Sequence, residues 1–250
     1  MIVELFGPPG AGKTTFAMAL DVRLRERGNA TKMHLSLRPG EDRSQFGLPH
    51  HNVSWHTFSD PLLRITRPIL QLIVAKAASN GDTSIRSLVA KLPKNHQVTA
   101  LRMRQYLIRL SSAWREAQHS NSVAIFDQAY VQAIVSILIA SKQLEDGDII
   151  DLIAITPRCD LAIRVEAPLG EVGTRLTARA QAIGRIGRFL ESKSGAPIDW
   201  AQTCERVKTG LQRYGRTAVD VHSTDRDTLL VEVERICSKI EQIHCLEARK

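Results

Sequence analysis

The sequence predicts a three-layer α/β fold in which helices cover both faces of a parallel five-stranded sheet. Short apolar runs alternate along the chain with longer segments of helical periodicity, a pattern typical of a mainly parallel sheet. A glycine-rich loop follows the first apolar run, and a later apolar run ends on an aspartate. We expect one domain over residues 1–250, because the chain shows neither an interdomain linker nor an internal repeat.

The first predicted strand, Ile2–Phe6, runs directly into a loop with the pattern G-x-x-x-x-G-K-[ST]. Backbone N–H groups of such a loop converge on one anionic centre, at the positive end of the helix that follows. Lys13 would hold the β- and γ-phosphates, and the Thr14 hydroxyl would bind Mg²⁺. The predicted ATP site comprises Gly7, Pro8, Pro9, Gly10, Ala11, Gly12, Lys13, Thr14 and Thr15. A chance glycine-rich turn is the alternative, and the strand before the loop and the helix after it disfavour that alternative.

Periodicity predicts the remaining elements in order. Helices are expected over 14–27, 62–79, 84–92, 98–118, 128–144, 200–214 and 228–243, with a further helix starting at residue 168. Strands are expected over 31–37, 123–127, 161–166 and 218–222. Residues 43–120 then form a long, largely helical insertion between the second and third strands.

Asp127 ends the predicted strand 123–127 and would emerge beside the glycine-rich loop. A carboxylate in that place completes the oxygen ligands of a magnesium ion. The alternative is that Asp127 caps a helix starting at Gln128, since aspartate is a favoured capping residue. The two roles are compatible, and we interpret Asp127 as a metal-binding catalytic residue.

An arginine-rich segment follows Pro168 and is expected to form a lid over residues 168–192. Arg175 and Arg179 are four residues apart, so they would project from one face of a helix. Arginines in this position would neutralise the charge that develops on a transferring phosphoryl group, and a closed lid would exclude water. A solvated basic helix face is the alternative for this pattern.

With these three features in order, the chain resembles the nucleoside-monophosphate-kinase-like group of P-loop kinases, and thymidylate kinase most closely. The resemblance implies phosphoryl transfer from ATP to a small acceptor, most plausibly a nucleotide. It differs from thymidylate kinase at Pro8-Pro9, where that family usually has an acidic residue, and at Gln128, where that family has arginine. Arg38, Gln128 and Arg102 are the candidate acceptor contacts. Tyr130 and Gln132 are equally compatible with acceptor binding and with satisfied burial.

Composition limits the remaining functional classes. The formal net charge of +8 suits anionic ligands, and nucleic acid is compatible with it but is not indicated by any clustered basic run. The four cysteines lack metal-ligand spacing, and no segment is long and apolar enough for a membrane span, so we expect a cytoplasmic protein. A homodimer is compatible with the sequence. Two alternatives stay open: an ATP-hydrolysing regulatory protein and a polynucleotide 5′-kinase.

Overall fold

Five strands form one parallel sheet in the computed structural model, which describes residues 1–35, 87–88, 90–91, 97–141, 145–168, 170–174, 196–222 and 225–247. The strands are Ile2–Phe6 (β1), Thr31–His34 (β2), Val123–Phe126 (β3), Leu161–Glu166 (β4) and Ala218–His222 (β5). Their order across the sheet is β2-β3-β1-β4-β5, and every neighbouring pair is parallel. This confirms the predicted fold class.

Helices cover both faces of the sheet. The long helices of the described residues are Lys13–Glu26 (α1), Gln97–Gln118 (α2), Tyr130–Ser141 (α3), Asp146–Ile155 (α4), Pro197–Arg213 (α5) and Arg226–Glu247 (α6). Apolar side chains of α1 and α6 pack in one core cluster, and those of α2, α3, α4 and α5 pack in another. No helix of the described residues has the length and apolar character needed to cross a membrane.

Strand β1 lies between the two cores, and all five of its residues are buried. Val3 and Leu5 belong to the α1/α6 core, whereas Ile2 and Phe6 belong to the α2–α5 core. Because side chains alternate between the faces of a strand, Glu4 points towards the α2–α5 core. A carboxyl group therefore lies inside the molecule, in the central strand.

The structure corrects one prediction in the second half of the chain and adds a helix that was not predicted. Helix α3 begins at Tyr130 rather than at Gln128, so two residues separate it from Asp127. Residues 152–155, an apolar run to which no element was assigned from the sequence, belong to helix α4. A short apolar run does not distinguish a strand from a buried helix face, and here tertiary packing against α5 decides the outcome.

Candidate functional site

The glycine-rich loop leaves the sheet at the carboxyl end of its central strand. Strand β1 is flanked by β3 on one side and by β4 on the other, and the strand order reverses direction at this point. Parallel α/β sheets bind their ligands in the crevice formed at such a reversal. The topology therefore places residues 7–15 where a ligand can reach both halves of the sheet.

Two glycines make the loop conformation attainable. Gly12, immediately before α1, has φ of 91°, a left-handed conformation that a side chain disfavours. Gly7 has φ of 150°, and a Cβ atom there would lie 2.4 Å from the Val165 carbonyl oxygen of β4. The start of the loop is thus pressed against the neighbouring strand, which leaves no room for a side chain.

Lys13 is the first residue of α1, and its side chain folds back over the loop. The Nζ atom donates to the carbonyl oxygens of Gly7 and Pro8, at 2.8 Å in each case. Lys13 is 7% exposed, so its charge lies inside the loop and not in bulk water. An ammonium group held there can bind the phosphate oxygens of a ligand that occupies the loop.

The structure brings Thr14 and Asp127 together, although 113 residues separate them in the chain. The Thr14 hydroxyl donates to Oδ2 of Asp127 at 3.0 Å, and Asp127 is 1% exposed. The capping alternative does not hold for Asp127, because α3 begins three residues later, at Tyr130. Two hard oxygen atoms therefore lie side by side at the edge of the loop.

Sequence reasoning overlooked Glu4, which is fully buried and contacts the start of α3. One carboxylate oxygen accepts the N–H of Val131 and, at 3.4 Å, the N–H of Gln132. Burial raises the pKa of Glu4 from 4.5 to about 8, although these N–H groups and the Arg216 charge oppose the shift. The sequence did contain a signal for Glu4, since it is the one acidic residue in the otherwise apolar strand Ile2–Phe6.

Gln132 connects the start of α3 to the loop. Its side-chain oxygen accepts the backbone N–H of Gly7 at 3.0 Å, and the residue is 6% exposed. The sequence left open whether Gln132 binds an acceptor or is buried with a satisfied side chain. This contact agrees with the second interpretation. We call the group formed by Glu4, Gly7, Lys13, Thr14, Asp127 and Gln132 the loop cluster.

A second polar group, the ion-pair cluster, lies between β4, β5 and α5. It consists of Arg164, Glu166, Glu205, Lys208 and Asp220. Arg164 is 7% exposed and pairs with all three carboxylates, among them Asp220 at 2.7 Å. Burial opposes the charge of Asp220, but hydrogen bonds from Arg164 and Lys208 outweigh this effect and lower its pKa.

A cavity of about 350 Å³ lies beside the loop, above the ion-pair cluster. Its lining includes Pro8 of the loop, Pro168 after β4, Ala201 of α5 and His222 at the end of β5. The cavity therefore opens where the carboxyl ends of β4 and β5 approach the loop. A ligand bound in the loop has space to extend in this direction.

The other predicted site residues have different outcomes. Thr15 is exposed, Pro9 and Gly10 are partly exposed, and Tyr130 is 1% exposed, with its ring packed edge-on against Trp114. Gln128 lies in the connection between β3 and α3 and is partly exposed. Arg38, Arg175, Arg179 and the side chain of Arg102 lie outside the described residues.

Three solved structures with similar folds are deoxyadenosine kinases from M. mycoides. The structure with the products dCMP and dCDP has a TM-score of 0.50 at 15% identity, over 97% of this chain and 100% of that chain. Structures with bound dCTP and dATP each have a TM-score of 0.45, at 12% and 15% identity. They cover 97% and 96% of this chain, respectively, and 100% of those chains.

No family model matches the sequence, and no curated protein matches it. At this level of identity the structural similarity is one of fold. The chain therefore shares the parallel α/β fold of the structure that has a TM-score of 0.50.

Proposed function

We propose that this protein transfers the γ-phosphoryl group of ATP to a small acceptor, a nucleoside or nucleotide. The observation that carries the proposal is the contact between Thr14 and Asp127, 3.0 Å apart, beside a loop closed by Lys13. A phosphate loop needs a metal-binding hydroxyl on α1 and a carboxylate from another strand. This geometry provides both groups.

The residues at the loop fit Mg²⁺ as the metal of Mg-ATP. Thr14 and Asp127 present hard oxygen atoms, which are the ligands that this ion prefers, and phosphates and waters complete its coordination. When bound, Mg²⁺ would neutralise charge on the β- and γ-phosphates. Lys13 would contribute a second positive charge at the same oxygens, and the loop N–H groups would orient them.

The acceptor class rests on two arguments. The fold is shared with deoxyadenosine kinases, whose structures contain deoxynucleotides. In addition, Gln128 follows Asp127 where a basic residue would favour an acceptor phosphate, so a nucleoside hydroxyl fits this position better than a monophosphate. The acceptor oxygen would attack the γ-phosphorus while the bond to the bridging oxygen of ADP breaks. Arg175 and Arg179 are the proposed lid residues that neutralise the transferring group.

A thermal-shift screen tests the proposal directly. The protein is titrated with a non-hydrolysable Mg-ATP analogue, together with nucleosides, nucleoside monophosphates or short oligonucleotides, and hits are followed by transfer of labelled phosphate from ATP. A nucleoside or nucleotide should raise the melting temperature further and become phosphorylated. Stabilisation by oligonucleotides alone, lost steeply with salt, would favour the polynucleotide 5′-kinase instead.

Lys13→Ala is the variant that tests the donor site. It should reduce phosphoryl transfer by roughly 10²-fold or more and weaken Mg-ATP binding, because the charge at the phosphates is lost. Lys32→Ala is the matched control, since Lys32 pairs with Glu116 elsewhere on the surface. Turnover of Lys13→Ala equal to that of the control would contradict the donor site.

A further inference from the structure

The first turn of α3 is bonded on two sides by groups that are distant in sequence. Glu4 of β1 accepts N–H groups from Val131 and Gln132, and the Gln132 side chain accepts the N–H of Gly7. These contacts form a chain of hydrogen bonds from the central strand, through a helix terminus, to the loop. This series of hydrogen bonds ends at Lys13, whose Nζ donates to the Gly7 carbonyl.

Glu4 does for α3 what a capping residue does for an ordinary helix. The second and third N–H groups of a helix need an acceptor, and the residue before Tyr130 is Ala129, whose side chain has none. Asp127, the nearest acidic residue in sequence, instead accepts the Thr14 hydroxyl. The carboxylate of β1 therefore holds α3 from the adjacent strand and leaves Asp127 at the loop.

Gln132 connects the first turn of α3 to the glycine-rich loop. The N–H of Gly7 is buried and needs an acceptor, which the amide oxygen of Gln132 provides. A side chain at Gly7 would clash with the Val165 carbonyl, so only glycine fits against β4 at this position. In the next peptide unit, the Gly7 carbonyl accepts the ammonium of Lys13, so the backbone conformation of Gly7 couples the two hydrogen bonds.

We propose that Glu4 and Gln132 are positioning residues that hold the phosphate loop in its binding conformation through the first turn of α3. The expected consequence of this positioning is tighter binding of a nucleoside triphosphate, and that consequence rests on the proposed function. Its structural content is independent of that function, since it concerns the hydrogen bond on the Gly7 amide. The two can therefore be tested separately.

Gln132→Met is the decisive variant, because methionine has similar length and offers no oxygen acceptor. It should shift the Gly7 amide proton upfield and weaken Mg-ATP binding roughly tenfold, and it should lower the melting temperature by a few degrees because a buried N–H loses its acceptor. Gln132→Glu retains an acceptor oxygen next to a helix N-terminus, so it should restore the Gly7 amide shift and the Mg-ATP affinity in large part. Ser136→Ala is the control, since it removes a hydrogen bond one turn further along α3.

Selective labelling identifies the Gly7 signal. The chain contains two Phe–Gly pairs, at 6–7 and 46–47, so carbonyl-labelled phenylalanine with nitrogen-labelled glycine leaves two signals, and Gly47→Ala removes one. An unchanged Gly7 signal in Gln132→Met would overturn the proposed contact, and unchanged Mg-ATP affinity would overturn its consequence. If the wild-type protein binds no triphosphate, the proposed function fails, and the Gly7 signal still decides the positioning contact.

Discussion

The loop cluster and the ion-pair cluster both bury charge beside the central strands, but they satisfy it differently. In the ion-pair cluster, Arg164 and Lys208 are matched by three carboxylates of the same cluster. In the loop cluster, Lys13 donates to backbone carbonyls, and Glu4 accepts from backbone N–H groups. One cluster pairs charged side chains with each other, whereas the other bonds an ammonium and a buried carboxyl group to the main chain.

Under the proposed function, this difference separates a structural role from a binding role. Charges paired within the protein stabilise the packing of β4, β5 and α5, and removing one partner leaves another uncompensated. Charges bonded to a loop's main chain can exchange those bonds for bonds to a ligand at small cost. Variants of Lys13 and Asp127 should therefore change function more than stability, and variants of the ion-pair cluster should do the reverse.

Asp127→Asn should have the largest effect on turnover among the variants that compare the two clusters. It should reduce turnover by roughly 10²-fold, because a neutral amide cannot support Mg²⁺ as a carboxylate does. Stability should change by less than about 1 kcal/mol, since asparagine still accepts the Thr14 hydrogen bond. Steady-state kinetics and denaturant unfolding measure the two quantities. Unchanged turnover would remove Asp127 from the site.

Arg175→Ala and Arg179→Ala test the proposed lid. If either residue acts on charge that develops during transfer, its loss should reduce turnover by roughly 10²-fold while Mg-ATP affinity changes little. Lysine should rescue only part of the loss, because it lacks the planar guanidinium group. If both alanine variants transfer phosphate like the wild type, the lid assignment fails.

Glu4→Gln should remove a pH dependence of stability. Because the folded-state pKa of Glu4 is raised from 4.5 to about 8, the folded protein retains a proton that the unfolded chain releases. Its contribution to stability is therefore present at low pH and declines as pH rises from about 4.5 to 8.

Glutamine stays neutral and keeps an acceptor for α3, so the wild type should lose stability relative to Glu4→Gln by up to about 1.4 kcal/mol per pH unit in this window. Denaturant unfolding at several pH values measures this difference. Parallel stability curves for the two proteins would refute the raised pKa.

Asp220→Asn is the matched change in the ion-pair cluster and should give the smallest effect. Loss of the charge that pairs with Arg164 and Lys208 should destabilise the fold by about 1 kcal/mol, because the site is partly exposed. Mg-ATP affinity should be unchanged. Asp148→Asn, at the exposed pair with Lys91, controls for a simple change in net charge. A loss of turnover in Asp220→Asn without destabilisation would break the distinction between the clusters.

Much of the fold was predictable because its signals are local. Strands β1, β4 and β5 have the predicted bounds, and α2 differs from its prediction by one residue at its start. Helix α4 was not predicted, since its apolar run 152–155 also fits a strand. The start of α3 was wrong because its capping group is supplied by Glu4, which no local rule associates with residue 130.

The sequence by itself determined the glycine-rich loop, because nine consecutive residues contain the glycines that its conformation requires, together with the lysine and the threonine of the predicted site. It also identified Asp127 as the acid at a strand end. Only the tertiary structure decided that Asp127 meets Thr14, that Glu4 caps α3 and that Gln132 holds Gly7. These contacts join residues more than 100 positions apart, and they depend on strand order and register, which arise only when the sheet and its helices pack together.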